Sequence, residues 1–272
     1  MEMRVEKRNF PLHTPFVITG YTFTELEAVW VTLSDGSHQG RGEACGVYYL
    51  GDTQDSMVEQ LEAVRSEVER GATRADIQQL LPAGGARNAL DCALWDLECK
   101  QAGASIWQLL ELDPQMLTTV ATIGIGTAEE MSQRATELSR FGKLKIKLDA
   151  NQPVEKLRAI RAARPDAELV VDANQGWSGD LLAAILPELA ELGIAMVEQP
   201  IARGGDEVLS GIDSPIPLGA DESLVSLAEY EAVAPFYDVV NIKLDKCGGL
   251  TEALAIVERA EADGKKIMVG NM

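Results

Sequence analysis

Cations are in short supply in this chain. Its 24 Lys and Arg stand against 43 Asp and Glu, a formal net charge of −19 over 272 residues. That deficit argues against nucleic acid and anionic membrane as partners, because both are bound through a cationic face. No apolar run approaches the ~18 residues of a membrane span. Met1 to Arg8 alternates charged and apolar residues and lacks the apolar block of a signal peptide, so the chain is expected to be cytoplasmic. The four cysteines, Cys45, Cys92, Cys99 and Cys247, form no C-x-x-C pair and no metal-finger spacing. They read as small buried hydrophobes in a reducing compartment.

What remains is an ordinary globular composition, 46% hydrophobic and 25% charged, in a chain long enough for one or two domains. Residues 1–115 read as an α+β unit. Glu25 to Leu33 and Gln39 to Ala44 are strand candidates joined by a turn at Ser34-Asp35-Gly36. Helical patterns follow at Asp55–Arg70, Arg74–Leu80 and Ala86–Gln101, the last with Leu90, Leu94 and Leu97 on one face and Gly103 as its stop.

Residues 116–272 change character. Short, almost wholly apolar runs alternate with amphipathic helical ones. The strand candidates are Val120–Gly126, Leu144–Leu148, Leu169–Ala173, Ala195–Gln199, Ile216–Ala220, Val239–Leu244 and Lys266–Gly270. Helices are expected at Ala128–Arg140, Val154–Ala163, Leu181–Leu192 and Leu250–Ala262, among others. Strands apolar on both faces belong in a parallel sheet, and a repeat of about 24 residues points to an α/β fold with a TIM-type barrel. A closed barrel needs eight strands, and seven are present when the chain stops at Met272. The expectation is a (β/α)7β barrel lacking its last strand, with either missing sequence or another element to close it.

Functional side chains in such barrels sit at the C-terminal ends of strands. Asp172 in Val-Val-Asp-Ala-Asn, Glu198 in Met-Val-Glu-Gln-Pro and Asp221 in Gly-Ala-Asp-Glu-Ser occupy three consecutive strand ends. Strand-end acids can simply cap the helices that follow. Three in register would instead stand side by side and repel unless a cation neutralises them, and an all-oxygen set favours a hard ion such as Mg²⁺. Lys143, Lys145 and Lys147 alternate with Leu144 and Ile146, which puts the lysines on one face, pointing into the barrel. The same alternation also suits an exposed edge strand. Lys243, in Val-Val-Asn-Ile-Lys, lies four repeats after Lys147, diametrically opposite in an eight-stranded barrel. Two opposed amines suit 1,1-proton transfer at a carbon acid, one removing a proton and the other returning one, with the metal stabilising the enediolate between.

This constellation resembles the enolase superfamily, and within it the muconate-lactonizing subgroup. The likeness rests on Lys145-Ile146-Lys147, Asp172-Ala173-Asn174, Glu198-Gln199-Pro200, Asp221-Glu222-Ser223, Asn241-Ile242-Lys243 with Gly248-Gly249, and the segment Ala86–Leu97. Residues 81–91 and 241–254 are most similar to dipeptide epimerases of the L-Ala-D/L-Glu type. The resemblance implies that Asp172, Glu198 and Asp221 bind Mg²⁺, and that Lys147 and Lys243 are the acid/base pair, Lys145 assisting Lys147 and contacting the substrate carboxylate. It also implies an N-terminal capping domain with two loops over the barrel mouth, His13–Phe23 and Gly46–Thr53, where Phe16, Ile18, Tyr21 and Tyr48 line a pocket and Asn174 is a further substrate contact. The substrate would be a dipeptide epimerised at the α-carbon of its C-terminal residue. Other members of the subgroup (N-acylamino acid racemase, o-succinylbenzoate synthase, muconate cycloisomerase) would use the same lysines and metal, and a truncated non-catalytic product is a further alternative. The resemblance allows a homo-oligomer. Two departures stand out: the Asp-x-Asp that holds the substrate ammonium group on the eighth strand is missing, and no Lys or Arg lies between Arg8 and Arg41 to meet a substrate Glu side chain. Apolar contacts there point to a less acidic dipeptide, unless a cation comes from elsewhere.

Overall fold

A computed structural model describes residues 1–272. Its first sheet is antiparallel, in the order β1 (Glu2–Ile18), β2 (Tyr21–Ser34), β3 (Gln39–Cys45). Four helices follow: α1 (Gln54–Ala63), α2 (Arg65–Glu69), α3 (Arg74–Leu80) and α4 (Gly85–Ala102). The single helix expected at Asp55–Arg70 is broken at Val64, so α1 and α2 are separate. Thr53 and Thr73 start α1 and α3 with reciprocal capping boxes, and Gly103, at φ +62°, ends α4 in the left-handed region. Helix α4 lies flat on the sheet because β3 turns Gly40 and Gly42 toward it: a Cβ at Gly42 would sit 2.0 Å from the Ala89 carbonyl, and one at Gly40 2.1 Å from that of Ala93. A core of 17 buried hydrophobic residues, from Met3 to Leu97, fills the space between.

The expected loop at His13–Phe23 is instead the far end of a hairpin. Phe16 pairs with Phe23 and Ile18 with Tyr21 across the two residues Thr19 and Gly20, and a register shift between Pro11 and Phe16 interrupts the ladder. Strand β1 itself has no counterpart in the sequence-based reading.

After the short α5 (Ile106–Leu109), the chain builds a parallel sheet in sequential order: β4 (Ala121–Ile123), β5 (Lys143–Lys147), β6 (Glu168–Asp172), β7 (Ile194–Glu198), β8 (Leu218–Ala220), β9 (Val239–Ile242) and β10 (Lys266–Val269). Helices α6 (Ala128–Glu137), α7 (Pro153–Ala163), α8 (Gly179–Glu191) and α11 (Leu250–Ala262) cover its outside, with two four-residue helices, α9 (Tyr230–Val233) and α10 (Leu244–Cys247), on either side of β9. This is a curled TIM-type barrel of seven strands with an α+β N-terminal unit. Outward residues of the strands, such as Leu144, Ile146, Leu169, Val171 and Val197, join the helices in a core of 35 buried residues. Inward, Val170, Met196 and Val239 form a small apolar floor, and the charged layer stands above it. No helix is long and apolar enough to cross a membrane.

Helix α4 also ties the first unit to the barrel. The buried Arg87 guanidinium donates to the carbonyls of Leu81, Cys247 and Gly248 and pairs with Glu252. Asp91 accepts from the Thr251 amide at 3.0 Å and hydroxyl at 2.6 Å. Asp245 accepts from the Cys45 amide and the Asn88 side chain. Gly248 and Gly249, at φ +75° and +114°, let the chain pass this close: a Cβ would fall 2.3 Å from Arg87 and 2.5 Å from Asp91.

Candidate active site

Register brings the site together. Lys147 pairs with Asp172, and Asp172 with Glu198; Glu198 in turn pairs with Gly219, two residues before Asp221 on the same face. Neighbouring strands therefore hold the three acids at one level, facing the interior. All three are fully buried, and one carboxylate oxygen from each lies within 4.8 Å of the others. The lysines interleave with them. Lys145 Nζ lies 2.9 Å from Asp172 Oδ2 and 2.8 Å from Glu198 Oε1. Lys147 Nζ donates to Asp172 Oδ2 at 2.7 Å and to Asn174 Oδ1 at 2.8 Å. Lys243 Nζ stands 2.7 Å from Asp221 Oδ2, at the other end of the row. Lys143, by contrast, is a half-exposed partner of Glu168 at the foot of the strand.

The charges perturb one another. Burial and the Asp172 charge push Glu198 up to about 7, against the pull of Lys145. Burial also works to raise Asp172, but Lys145 and Lys147 hold it below the usual carboxylate range. Asp221 sits well below that range because Lys243, Lys246 and Lys145 outweigh its burial. The same carboxylates overcome burial at Lys145 and Lys243 and keep both ammonium groups above the usual lysine value.

Two carboxylate oxygens, Glu198 Oε2 and Asp221 Oδ2, are buried with a single lysine against each, Lys145 and Lys243, both at 2.7 Å. Each keeps a lone pair for a cation, and three clustered carboxylates suit a hard divalent one.

Four residues that the sequence reading left out of the site are built into it. Lys246, on α10, is 1% exposed, and its Nζ contacts Asp221 O, Asp221 Oδ1, Asn241 O and Leu224 O at 2.6, 2.7, 2.9 and 3.2 Å. Burial pulls this amine down, but four oxygen acceptors around Nζ favour the ammonium form. Asn241 donates to Glu198 Oε1 at 2.7 Å. Gln199, at φ +35°, accepts from the amides of Asp221 and Ser223 at 2.9 and 3.0 Å and so fixes the next strand end. Glu222 accepts from the Asn174 amide at 3.0 Å, and burial beside Asp221 pushes it up to about 7. Nothing in its local sequence pattern marked Lys246 for the site.

Of the expected pocket residues, Ile18 is buried, Phe16 and Tyr48 are half-buried and Tyr21 is exposed. Tyr21, Phe23 and Tyr48 are brought together, with ring centroids 4.4 Å apart for Tyr21–Tyr48 and 5.2 Å for Phe23–Tyr48. Asn174 stands beside Lys147 in the row of charges.

Residues 1–111 match the family described as mandelate racemase/muconate lactonizing enzyme, N-terminal domain, and residues 127–272 match enolase C-terminal domain-like. The chain is 42% identical to an L-Ala-D/L-Glu epimerase of Escherichia coli K12, covering 99% of this chain and 85% of that one. It is 34% identical to a hydrophobic dipeptide epimerase of Roseobacter litoralis, over 98% and 80%. A dipeptide epimerase of Enterococcus faecalis, solved with Mg and L-Leu-L-Tyr, superposes with a TM-score of 0.93 at 29% identity, over 100% and 82%. These relatives are isomerases.

Proposed function

We propose that this chain, which belongs to the enolase superfamily, is a Mg²⁺-dependent dipeptide epimerase acting at the α-carbon of the C-terminal residue. The observation that carries the reading is the placement of Lys147 and Lys243 at opposite ends of one row of carboxylates, on Asp172 and Asp221. A substrate seated between them presents one face of its α-carbon to each Nζ. In one direction Lys147, as the neutral amine, takes the α-proton, and Lys243, as the ammonium, delivers a proton to the other face. Each turnover leaves the total charge unchanged and the two lysines with exchanged protonation states, which the reverse reaction, or proton exchange with solvent, restores. Lys145, bridging Asp172 and Glu198, holds their carboxylates and offers a charge to the substrate carboxylate. Asn174 holds Lys147 in place. Mg²⁺ carried by Asp172, Glu198 and Asp221 would supply the positive charge that offsets what develops on the substrate carboxylate as the α-proton leaves.

We place the boundary between the capping unit and the barrel at residues 115/116. We further propose that the enzyme works in a reducing compartment, the cytoplasm, a reading that its four free cysteines support. The test is α-proton exchange followed by NMR in D₂O with Mg²⁺ and a panel of L-Ala-L-Xaa dipeptides. Exchange together with inversion is expected for the wild type. Lys147→Ala and Lys243→Ala should each lose inversion by about 10²–10⁴-fold, while one stereoisomer still exchanges. No exchange with any dipeptide would refute the reading.

A further inference from the structure

The two opposed lysines are not held alike. Lys147 Nζ donates to Asp172 Oδ2 at 2.7 Å and to Asn174 Oδ1 at 2.8 Å. Lys243 Nζ rests on Asp221 Oδ2 at 2.7 Å and makes no hydrogen bond to a side-chain amide. The other end of the Asn174 amide is engaged as well, Nδ2 donating to Glu222 Oε1 at 3.0 Å. Lys147, Asn174 and Glu222 thus form a chain from the end of β5, past the end of β6, to the end of β8, and all three are buried. The main chain of Asn174 is tied down too. It sits in the left-handed region at φ +42°, and its N–H donates to Asp172 Oδ1 at 2.9 Å.

Direction matters in this chain. Glu222 Oε1 receives the amide hydrogen and Oε2 has no hydrogen-bond partner, so the carboxyl group donates nothing to Asn174. Rotated by half a turn, the Asn174 amide would set its oxygen against Glu222 and its NH₂ against Lys147, and both bonds would be lost. The difference reaches the chemistry. As a neutral amine, Lys147 has two N–H bonds and one lone pair. With Asp172 and Asn174 accepting the two hydrogens, the lone pair is left for the substrate's α-proton. An NH₂ in place of Asn174 Oδ1 would donate to that lone pair and occupy the base.

We propose that Glu222 is a positioning residue for one half of the reaction: by accepting from Asn174 Nδ2 it fixes the amide with Oδ1 toward Lys147, and so keeps that lysine's lone pair free. Lys243 depends on no such chain, so the effect is one-sided. The inference rests on the epimerase reading and adds to it a residue that acts only through Asn174.

The experiment follows α-proton exchange in D₂O by NMR at saturating Mg²⁺. Its substrates are the L-Ala-L-Xaa dipeptide that exchanges fastest and the L-Ala-D-Xaa isomer of the same dipeptide. Lys147→Ala identifies the isomer whose exchange needs Lys147. Glu222→Gln keeps the shape but offers an NH₂ that can donate to Asn174 Oδ1 and stabilise the reversed amide. Exchange of the Lys147-dependent isomer should then fall by about ten-fold or more, and exchange of the other by less than about two-fold. Adding Asn174→Asp to Glu222→Gln restores the total charge and puts a group that only accepts between two donors, so the lost exchange should recover by about five-fold or more. Thermal melting checks that the variants fold. If Glu222→Gln does not, Asn174→Ala takes its place and must show the same one-sided loss. Equal slowing of both isomers, no slowing, or no recovery in the double variant overturns the inference and leaves the epimerase reading standing. If the wild type exchanges no dipeptide, the epimerase reading falls and this inference falls with it.

Discussion

Replacing Lys246 by Met should be among the most damaging single changes in the barrel, although Lys246 is expected to touch no substrate. Its ammonium group is enclosed by two oxygens of Asp221, the Asn241 carbonyl and the Leu224 carbonyl, at 2.6 to 3.2 Å. Methionine fills much of the same volume but has no donor, so four buried acceptors lose a charged donor at once, the Asp221 carbonyl keeping only the Leu224 amide at 3.2 Å. One of them belongs to a fully buried carboxylate already surrounded by Asp172 and Glu198. Removing one partner of a buried ion pair costs about 3–5 kcal/mol, and here the relief of no longer burying an ammonium is set against three carbonyls that lose a charged donor as well. At about 2–4 °C per kcal/mol for a chain of this size, that corresponds to a fall in Tm of about 6–20 °C. Calorimetry or thermal circular dichroism would read it. Lys143→Met is the matching control, because that lysine and Glu168 are 37% and 45% exposed and such pairs contribute little. A loss below about 1 kcal/mol for Lys246→Met, or a gain, would refute the argument that the ammonium is what holds Asp221 in place.

Other consequences can be checked separately. Glu198→Gln removes a charge and turns a carboxylate oxygen into an amide, so titration calorimetry should show Mg²⁺ or Mn²⁺ binding weakened at least about ten-fold; unchanged affinity would remove Glu198 from the ligand set. Gly42→Ala would place a Cβ 2.0 Å from the Ala89 carbonyl and force α4 off the sheet, a loss of about 1–3 kcal/mol or more in urea unfolding. Asp245 supplies a pH test. Burial holds its carboxyl above the usual range, against the hydrogen bonds from Cys45 and Asn88 and the Lys243 charge, and with help from Glu43. The folded state therefore binds this proton more tightly than the unfolded one, and the associated stability is lost as pH rises through the folded value. Asp245→Asn keeps an acceptor for Cys45 but does not titrate, so its stability relative to the wild type should increase between pH 4 and pH 7. A constant difference across that range would contradict the assignment.

Much of the site was legible because barrel geometry converts sequence spacing into angular position. Asp172, Glu198 and Asp221 sit one repeat apart, and the strand register puts them side by side. The alternation of Lys145 and Lys147 with Leu144 and Ile146 resolved in favour of lysines pointing inward, since both are buried in the row of carboxylates. Lys246 was not legible as part of the site: a lysine in a short polar helix reads as surface, and only the folding of α10 beneath Asp221 encloses it. Strand β1 escaped notice for a different reason. Met3 and Ile18 are its only buried hydrophobic residues, Pro11 and Pro15 interrupt it, and an exposed edge strand carries no apolar alternation to read. The Arg87 and Asp91 contacts were likewise hidden, because their partners, main-chain groups of residues 247–251 and the Thr251 and Glu252 side chains, lie some 160 residues away.

The hairpin tip carries a consequence for how such an enzyme changes over generations. Its rings hang from a two-residue turn that meets the barrel through the Thr19 hydroxyl and the Val17 carbonyl, whereas the lysines and carboxylates stand on strand ends gripped from below. A gene can lengthen that turn or swap its aromatic residues and leave the acid–base row untouched. The tip and the row of charges can thus vary independently, the first on a two-residue turn and the second on strand ends locked by buried ion pairs.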